Sequence, residues 1–113
     1  MRVILNRAYQ EAFSTYRPEE WRARLCQDAR ADIRNWPPEE GKYRLDICVL
    51  YGLGNAGLRN TDIDNVAKIV VDGIFCTDQP GTGADRFLYE MSVVKARYEN
   101  DGLEVTLYDL GPA

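Results

Sequence analysis

Tyr43-Arg44-Leu45-Asp46-Ile47-Cys48-Val49-Leu50-Tyr51 alternates large apolar side chains at its odd positions with a mixed set at its even ones. Period 2 is the repeat of a strand, so this stretch predicts a strand with one face in a core and the other face mixed. On its N-terminal side, Pro18 opens a predicted helix with Glu19 and Glu20 in the first turn, where the helix dipole favours acids. Trp21, Leu25, Ala29 and Ile33 recur every four residues on one face, and Pro37-Pro38 marks the end. Arg2 to Asn6 reads as a short strand before it. On the C-terminal side, a glycine-rich loop from Gly52 to Gly57 leads to a second predicted helix over about 61–73. Strands over 87–98 and 103–110 follow, joined through Glu99-Asn100-Asp101-Gly102, whose Asp-Gly is a hairpin signal. The order β-α-β-α-β-β predicts an α+β fold, two helices packed on a small mixed or antiparallel sheet.

The chain of 113 residues is the length of one domain, and its 45% hydrophobic and 28% charged residues suit a globular one. No apolar run approaches the ~20 residues of a membrane span. The opening Met1 to Asn6 is too short for a signal peptide, so a cytoplasmic location and no membrane partner are expected. There is no histidine, which removes Cys/His zinc sites and every imidazole-based triad. Cys26, Cys48 and Cys76 match no zinc spacing and are expected to be small buried thiols in a reducing compartment. Net charge is −4, with ten basic and eight acidic groups in residues 1–59 against four and ten in 60–113. The acid is concentrated in the second half of the chain. Arg22, Arg24, Arg30 and Arg34 on the first helix form either a solvated face or a phosphate-contacting one.

Gly52-Leu53-Gly54-Asn55-Ala56-Gly57 fits GxGxxG, but Leu58-Arg59-Asn60 separate it from a helix that opens with Asp62 and Asp64. A dinucleotide site needs that helix N-terminus at the glycines, facing a pyrophosphate, so no nucleotide cofactor is expected. The informative segment is Asn60-Thr61-Asp62-Ile63-Asp64-Asn65-Val66-Ala67-Lys68-Ile69-Val70-Val71-Asp72-Gly73-Ile74. At ~100° per residue, Ile63, Val66, Ala67, Val70, Val71 and Ile74 form an apolar face, with Asp64, Asn65, Lys68 and Asp72 opposite it. One reading is structural: Thr61 and Asp64 as a capping box, Asp64 and Lys68 as an i,i+4 pair. The other is chemical. Two carboxylates one residue apart, with Asp85 brought back to them by a packed sheet, make an oxygen-only site for Mg²⁺, with Mn²⁺ as the alternative. A water activated by the metal is then the expected nucleophile, with Lys68 stabilising charge on a phosphate.

The pattern Asp62-x-Asp64-Asn65-x-x-Lys68-x-x-x-Asp72, followed by Asp85 and Val93-Val94-Lys95, resembles the RusA Holliday-junction resolvases over about residues 61–97. The resemblance implies a RusA-like fold and a bacterial or prophage-encoded homodimer that nicks four-way branched DNA symmetrically with Mg²⁺ in recombination and repair. It implies Asp62, Asp64 and Asp85 as metal ligands, Lys68 as a catalytic lysine, and Asn65 and Asp72 as supporting residues. Arg59, Arg86 and Lys95 are the candidate DNA contacts beside the acids. Ala84 departs from the pattern, since family members usually carry a second acid there. A non-catalytic junction- or partner-binding module and a less selective branched-DNA nuclease remain the alternatives.

Overall fold

Leu45, Ile47, Val49 and Tyr51 are all buried, and the strand they define is the middle of the molecule. The computed structural model describes residues 1–55, 61–77 and 83–112. Its elements run β1 (Arg2–Tyr9), α1 (Pro18–Asp32), β2 (Lys42–Tyr51), α2 (Ile63–Ile74), β3 (Leu88–Arg97) and β4 (Gly102–Gly111), with 3-10 turns at Phe13–Thr15 and Ala84–Phe87. The four strands form one mixed sheet in the order β1-β4-β2-β3. β4 is antiparallel to both β1 and β2, whereas β3 runs parallel to β2, so β2-α2-β3 is a crossover unit. This is the expected α+β architecture with a mixed sheet. No helix among the described residues is long and apolar enough to cross a membrane.

Both helices cover the same sheet face. Trp21, Leu25 and Ala29 of α1 and Val66, Ile69, Val70 and Ile74 of α2 join Leu45, Ile47 and Val49 of β2 and Leu103, Val105 and Leu107 of β4 in one core. Trp36 is buried beyond α1, and its indole N–H donates to the Ile74 carbonyl at 2.6 Å, satisfying one of the acceptors that a helix C-terminus leaves over. The opposite face carries the even positions of β2, including the half-buried free thiol of Cys48. Burial, with Glu104 beside it, pushes that thiol up.

Four expectations need correction. The segment 98–101 is not a hairpin: β2 lies between β3 and β4, and the connection crosses over the end of β2. Asp101 is what docks it there, accepting from the Gly52 amide at 2.7 Å and the Asn55 side chain at 2.9 Å, bonds that a two-residue hairpin turn would not make. The thiols of Cys26 and Cys76 are not separate buried hydrophobes; they form a disulfide between α1 and the end of α2, with Cα atoms 5.0 Å apart. The cap of α2 is Asp62, whose carboxylate accepts from the Asp64 amide at 2.9 Å, and not Thr61. The buried face of α2 also differs, because Ile69 and Gly73 are inside while Ile63 is exposed. Gly73 is there because α1 crosses α2 at that point: a Cβ on it would stand 2.9 Å from Leu25 Cβ and 3.1 Å from Arg22 Cα.

Candidate active site

Thr61, just before α2, is held from two strands of the sheet. Its hydroxyl shares a hydrogen bond with the Tyr51 hydroxyl at the end of β2, and its carbonyl accepts from Lys95 Nζ of β3 at 3.0 Å. Asp62 then caps the helix, and the carbonyl of Asp62 accepts from the amides of Asn65 and Val66 at 3.1 Å. The consequence is a helix start that is fixed in place while its polar side chains face outward. Asp62, Asp64, Asn65 and Lys68 are all exposed.

Asp64 and Lys68 make no ion pair among the described residues, so the expected i,i+4 bridge is absent. One oxygen of Asp62 is engaged as the cap, and both carboxylates belong to exposed residues. Two neighbouring carboxylates of this kind fit a hard divalent cation, which binds proteins through one or two carboxylates and keeps several waters. The positive end of the α2 dipole lies at the same place and favours anionic groups such as a phosphate.

Asp85 is not brought to these two within one chain. It sits in the 3-10 turn just before Leu88, and Leu88 pairs with Tyr43 at the start of β2, whereas Asp62 lies beyond Tyr51 at the other end. At ~3.3 Å per residue, the strand between those ends spans roughly 26 Å. The parallel crossover is the reason, since the chain must travel back along α2 before β3 can begin beside the start of β2. Accordingly, no group of three or more His, Cys, Asp or Glu side chains able to hold a metal ion occurs among the described residues.

Asp72, further along the polar stripe of α2, is half-buried and lines a cleft between α2 and α1 together with Arg22 and Arg30. Lys95 donates to the Thr61 carbonyl and so helps to position the start of α2. Arg86 is exposed, donates to the Gly83 carbonyl at 2.8 Å, and lies over the Phe87 ring at 4.5 Å. Arg59 lies outside the described residues. Among the arginines of α1, Arg24 is structural: it pairs with Glu11 at 2.9 Å and stacks over Tyr9 at 4.7 Å. That bond holds the Glu11 carboxyl below the usual carboxylate range. Arg30 and Arg34 are exposed and keep the phosphate-contacting possibility for this face.

Sequence reasoning missed the clamp around the helix start. Lys95 forms it with Tyr51, and two residues on Arg97 holds the backbone after β2, donating to the Gly52 carbonyl at 2.8 Å beside the Asp101 contacts. Its signal was present: Lys95 and Arg97 share the parity of Val93, so they rise from the same sheet face as the core. No family model, curated protein or solved structure matches this chain.

Proposed function

We propose that this chain is a Mg²⁺-dependent endonuclease of the RusA type that cuts four-way branched DNA as a homodimer in the bacterial or phage-infected cytoplasm. The observation that carries the reading is the exposed Asp62-Asp64 pair, mounted on an anchored helix N-terminus with Lys68 one turn further on the same outward side. Asp62 and Asp64 would hold the cation, which supplies charge neutralisation at the scissile phosphate and acidifies a water for attack. Lys68 would meet a non-bridging phosphate oxygen as a compact point charge and stabilise the charge that develops there. The positive end of the α2 dipole would favour the same phosphate.

The distance to Asp85 makes the second subunit part of the argument. β3 is an edge strand and exposes Tyr89, Met91 and Val94. An unprotected edge of this kind favours pairing with another strand. Two β3 edges paired antiparallel about a two-fold axis would set the start of one β3 near the end of the other. Asp85 of the partner subunit would then approach Asp62 and Asp64, and two equivalent sites would face the two-fold symmetry of a junction.

The test is a labelled synthetic four-way junction, incubated with and without Mg²⁺. Paired nicks only with Mg²⁺ are expected from the wild-type chain, and none from Asp64→Asn or Asp85→Asn. Mixing these two inactive variants should restore nicking, because one of the two shared sites then has every carboxylate. No cleavage by the wild-type chain would defeat the nuclease reading; cleavage without rescue on mixing would defeat the shared site alone. A non-catalytic junction-binding module is the second reading, favoured by the separation of Asp85 from the other two acids in one chain. It predicts junction binding with no nicking under any metal.

A further inference from the structure

The chain leaves α2 through a turn of defined geometry. The Cys76 amide donates to the Gly73 carbonyl and the Thr77 amide to the Asp72 carbonyl, both at 3.0 Å. With Phe75 as the C-terminal cap residue, this pair of bonds is a Schellman motif, and Cys76 is its left-handed residue, with φ at 55°. Glycine is usual at that place because it has no Cβ to crowd the neighbouring backbone. Among the described residues one other non-glycine residue has a positive φ, Asn35, and asparagine tolerates it. Cysteine lacks that tolerance, and this one is bonded to Cys26 of α1. We propose that the Cys26–Cys76 bridge is a redox latch on this cap. Oxidised, it holds Cys76 in the left-handed conformation; reduced, it lets the chain after Phe75 come away from α2 while the helix stays.

What stays is decided by the contacts before the bridge. Gly73 lies against Leu25 at the helix crossing, the Trp36 indole N–H donates to the Ile74 carbonyl, and Phe75 is fully buried against Trp36 and Tyr43. None of these requires the disulfide. Beyond Phe75, the Thr77 hydroxyl donates to the same Asp72 carbonyl as its amide, at 3.3 Å, so the cap opens or closes as one turn. A non-glycine residue in the left-handed region is disfavoured by about tenfold in population, and a cap that has lost its covalent tie is biased to open by that factor.

A dithiol reductant opens the latch. Cys26 is half-buried in the wall of a cleft of about 460 Å³ between α1 and α2, whereas Cys76 is 2% exposed, so the first thiolate attacks Cys26 Sγ. A mixed disulfide forms, the Cys26–Cys76 bond breaks, and Cys76 leaves with the electron pair and takes a proton from water. The second thiolate of the reductant then attacks the reductant sulfur of the mixed disulfide and closes a cyclic disulfide. Cys26 is released as a thiolate. Two electrons pass from the dithiol to the bridge. The Cys26 and Ile74 carbonyls, 3.8 and 3.9 Å from Cys76 Sγ, can accept from the S–H that results, but a thiol is a weak donor and does not replace the covalent tie. The latch stands whatever Asp62 and Asp64 bind.

The experiment follows amide hydrogen exchange by NMR in the full chain, air-oxidised and after dithiothreitol, each rate corrected for its intrinsic value. On reduction the Thr77 amide should exchange at least about tenfold faster and should outrun the Val70 amide of mid-α2, because the cap opens without the helix. Two bridgeless variants separate the latch from a general loss of stability. Cys26→Ser/Cys76→Ser should match the reduced chain at Thr77. Cys26→Ser/Cys76→Gly should exchange there about tenfold more slowly, since glycine takes the left-handed conformation without the tie. Thr77 exchange unchanged by reduction, equal Thr77 and Val70 rates in the reduced chain, Cys26→Ser/Cys76→Gly no slower than Cys26→Ser/Cys76→Ser, or a mass showing no bridge in protein purified in air would overturn the proposal.

Discussion

The two ends of α2 are built for opposite purposes. At its C-terminal end Gly73 lets Leu25 of α1 approach to contact, the Trp36 indole takes the Ile74 carbonyl, and the Cys26–Cys76 bridge adds a covalent tie. At its N-terminal end Asp62, Asp64, Asn65 and Lys68 are exposed, and the backbone before them is fixed by Tyr51 and Lys95. A carboxylate pair gains nothing for packing by standing in water, but it can meet a cation there without paying for burial. The locked end keeps the open end in one orientation, and substitutions should therefore separate into those that change activity and those that change stability.

The largest effect should come from the open end. Asp64→Asn should lower junction cleavage by at least about a hundredfold, or ~2.7 kcal/mol of barrier, with the unfolding midpoint unchanged; a fall in the denaturation midpoint instead would erase the division between the ends. At the locked end, opening the bridge with excess dithiothreitol should lower the unfolding free energy by about 4 kcal/mol, the chain-entropy value for a loop of this size. Urea titration of the oxidised and reduced chains measures it. Gly73→Ala should cost about 1–3 kcal/mol through overpacking at the helix crossing. Its Cβ meets the backbone of Arg22, which cannot turn aside as a flexible side chain would.

Asp62 sharpens the comparison because it has two roles at one position. Asp62→Ala should lose about 1 kcal/mol of cap energy, whereas Asp62→Asn should keep the cap and its stability. Both should lose cleavage. If Asp62→Asn were as unstable as Asp62→Ala, the carboxylate charge would matter to the fold and the assignment to a cation would weaken. The smallest effect is a pH dependence. The Gly52 amide, and then Asn55, hold the Asp101 carboxyl below its usual range, and Arg7 does the same for Asp32. A lowered folded value means stability that is full above the unfolded value, about 4, and is lost as the pH falls through the folded one. Asp101→Asn should therefore flatten the acid limb of a thermal-midpoint curve, with little change at neutral pH.

Local pattern carried most of the elements. Alternation over Tyr43–Tyr51 marked β2, the four-residue apolar steps marked α1, and the polar stripe of α2 emerged with Asp64, Asn65 and Lys68 exposed. These depend on backbone periodicity, which a sequence records directly. The false hairpin shows the limit: Asp101-Gly102 has turn chemistry, but whether flanking strands pair depends on which third strand competes for the edge. Here β2 took that place.

The sequence by itself determined an α+β fold, a histidine-free chemistry, and a pair of acids, Asp62 and Asp64, at the start of the second helix. Tertiary structure alone decided that Cys26 meets Cys76 across 50 residues, that Lys95 holds Thr61, and that Asp85 stands at the far end of the sheet from Asp62 and Asp64. The physical reason is common to all three. Each depends on the direction and register in which distant segments are laid side by side, and a parallel crossover reverses which ends meet without changing any local pattern.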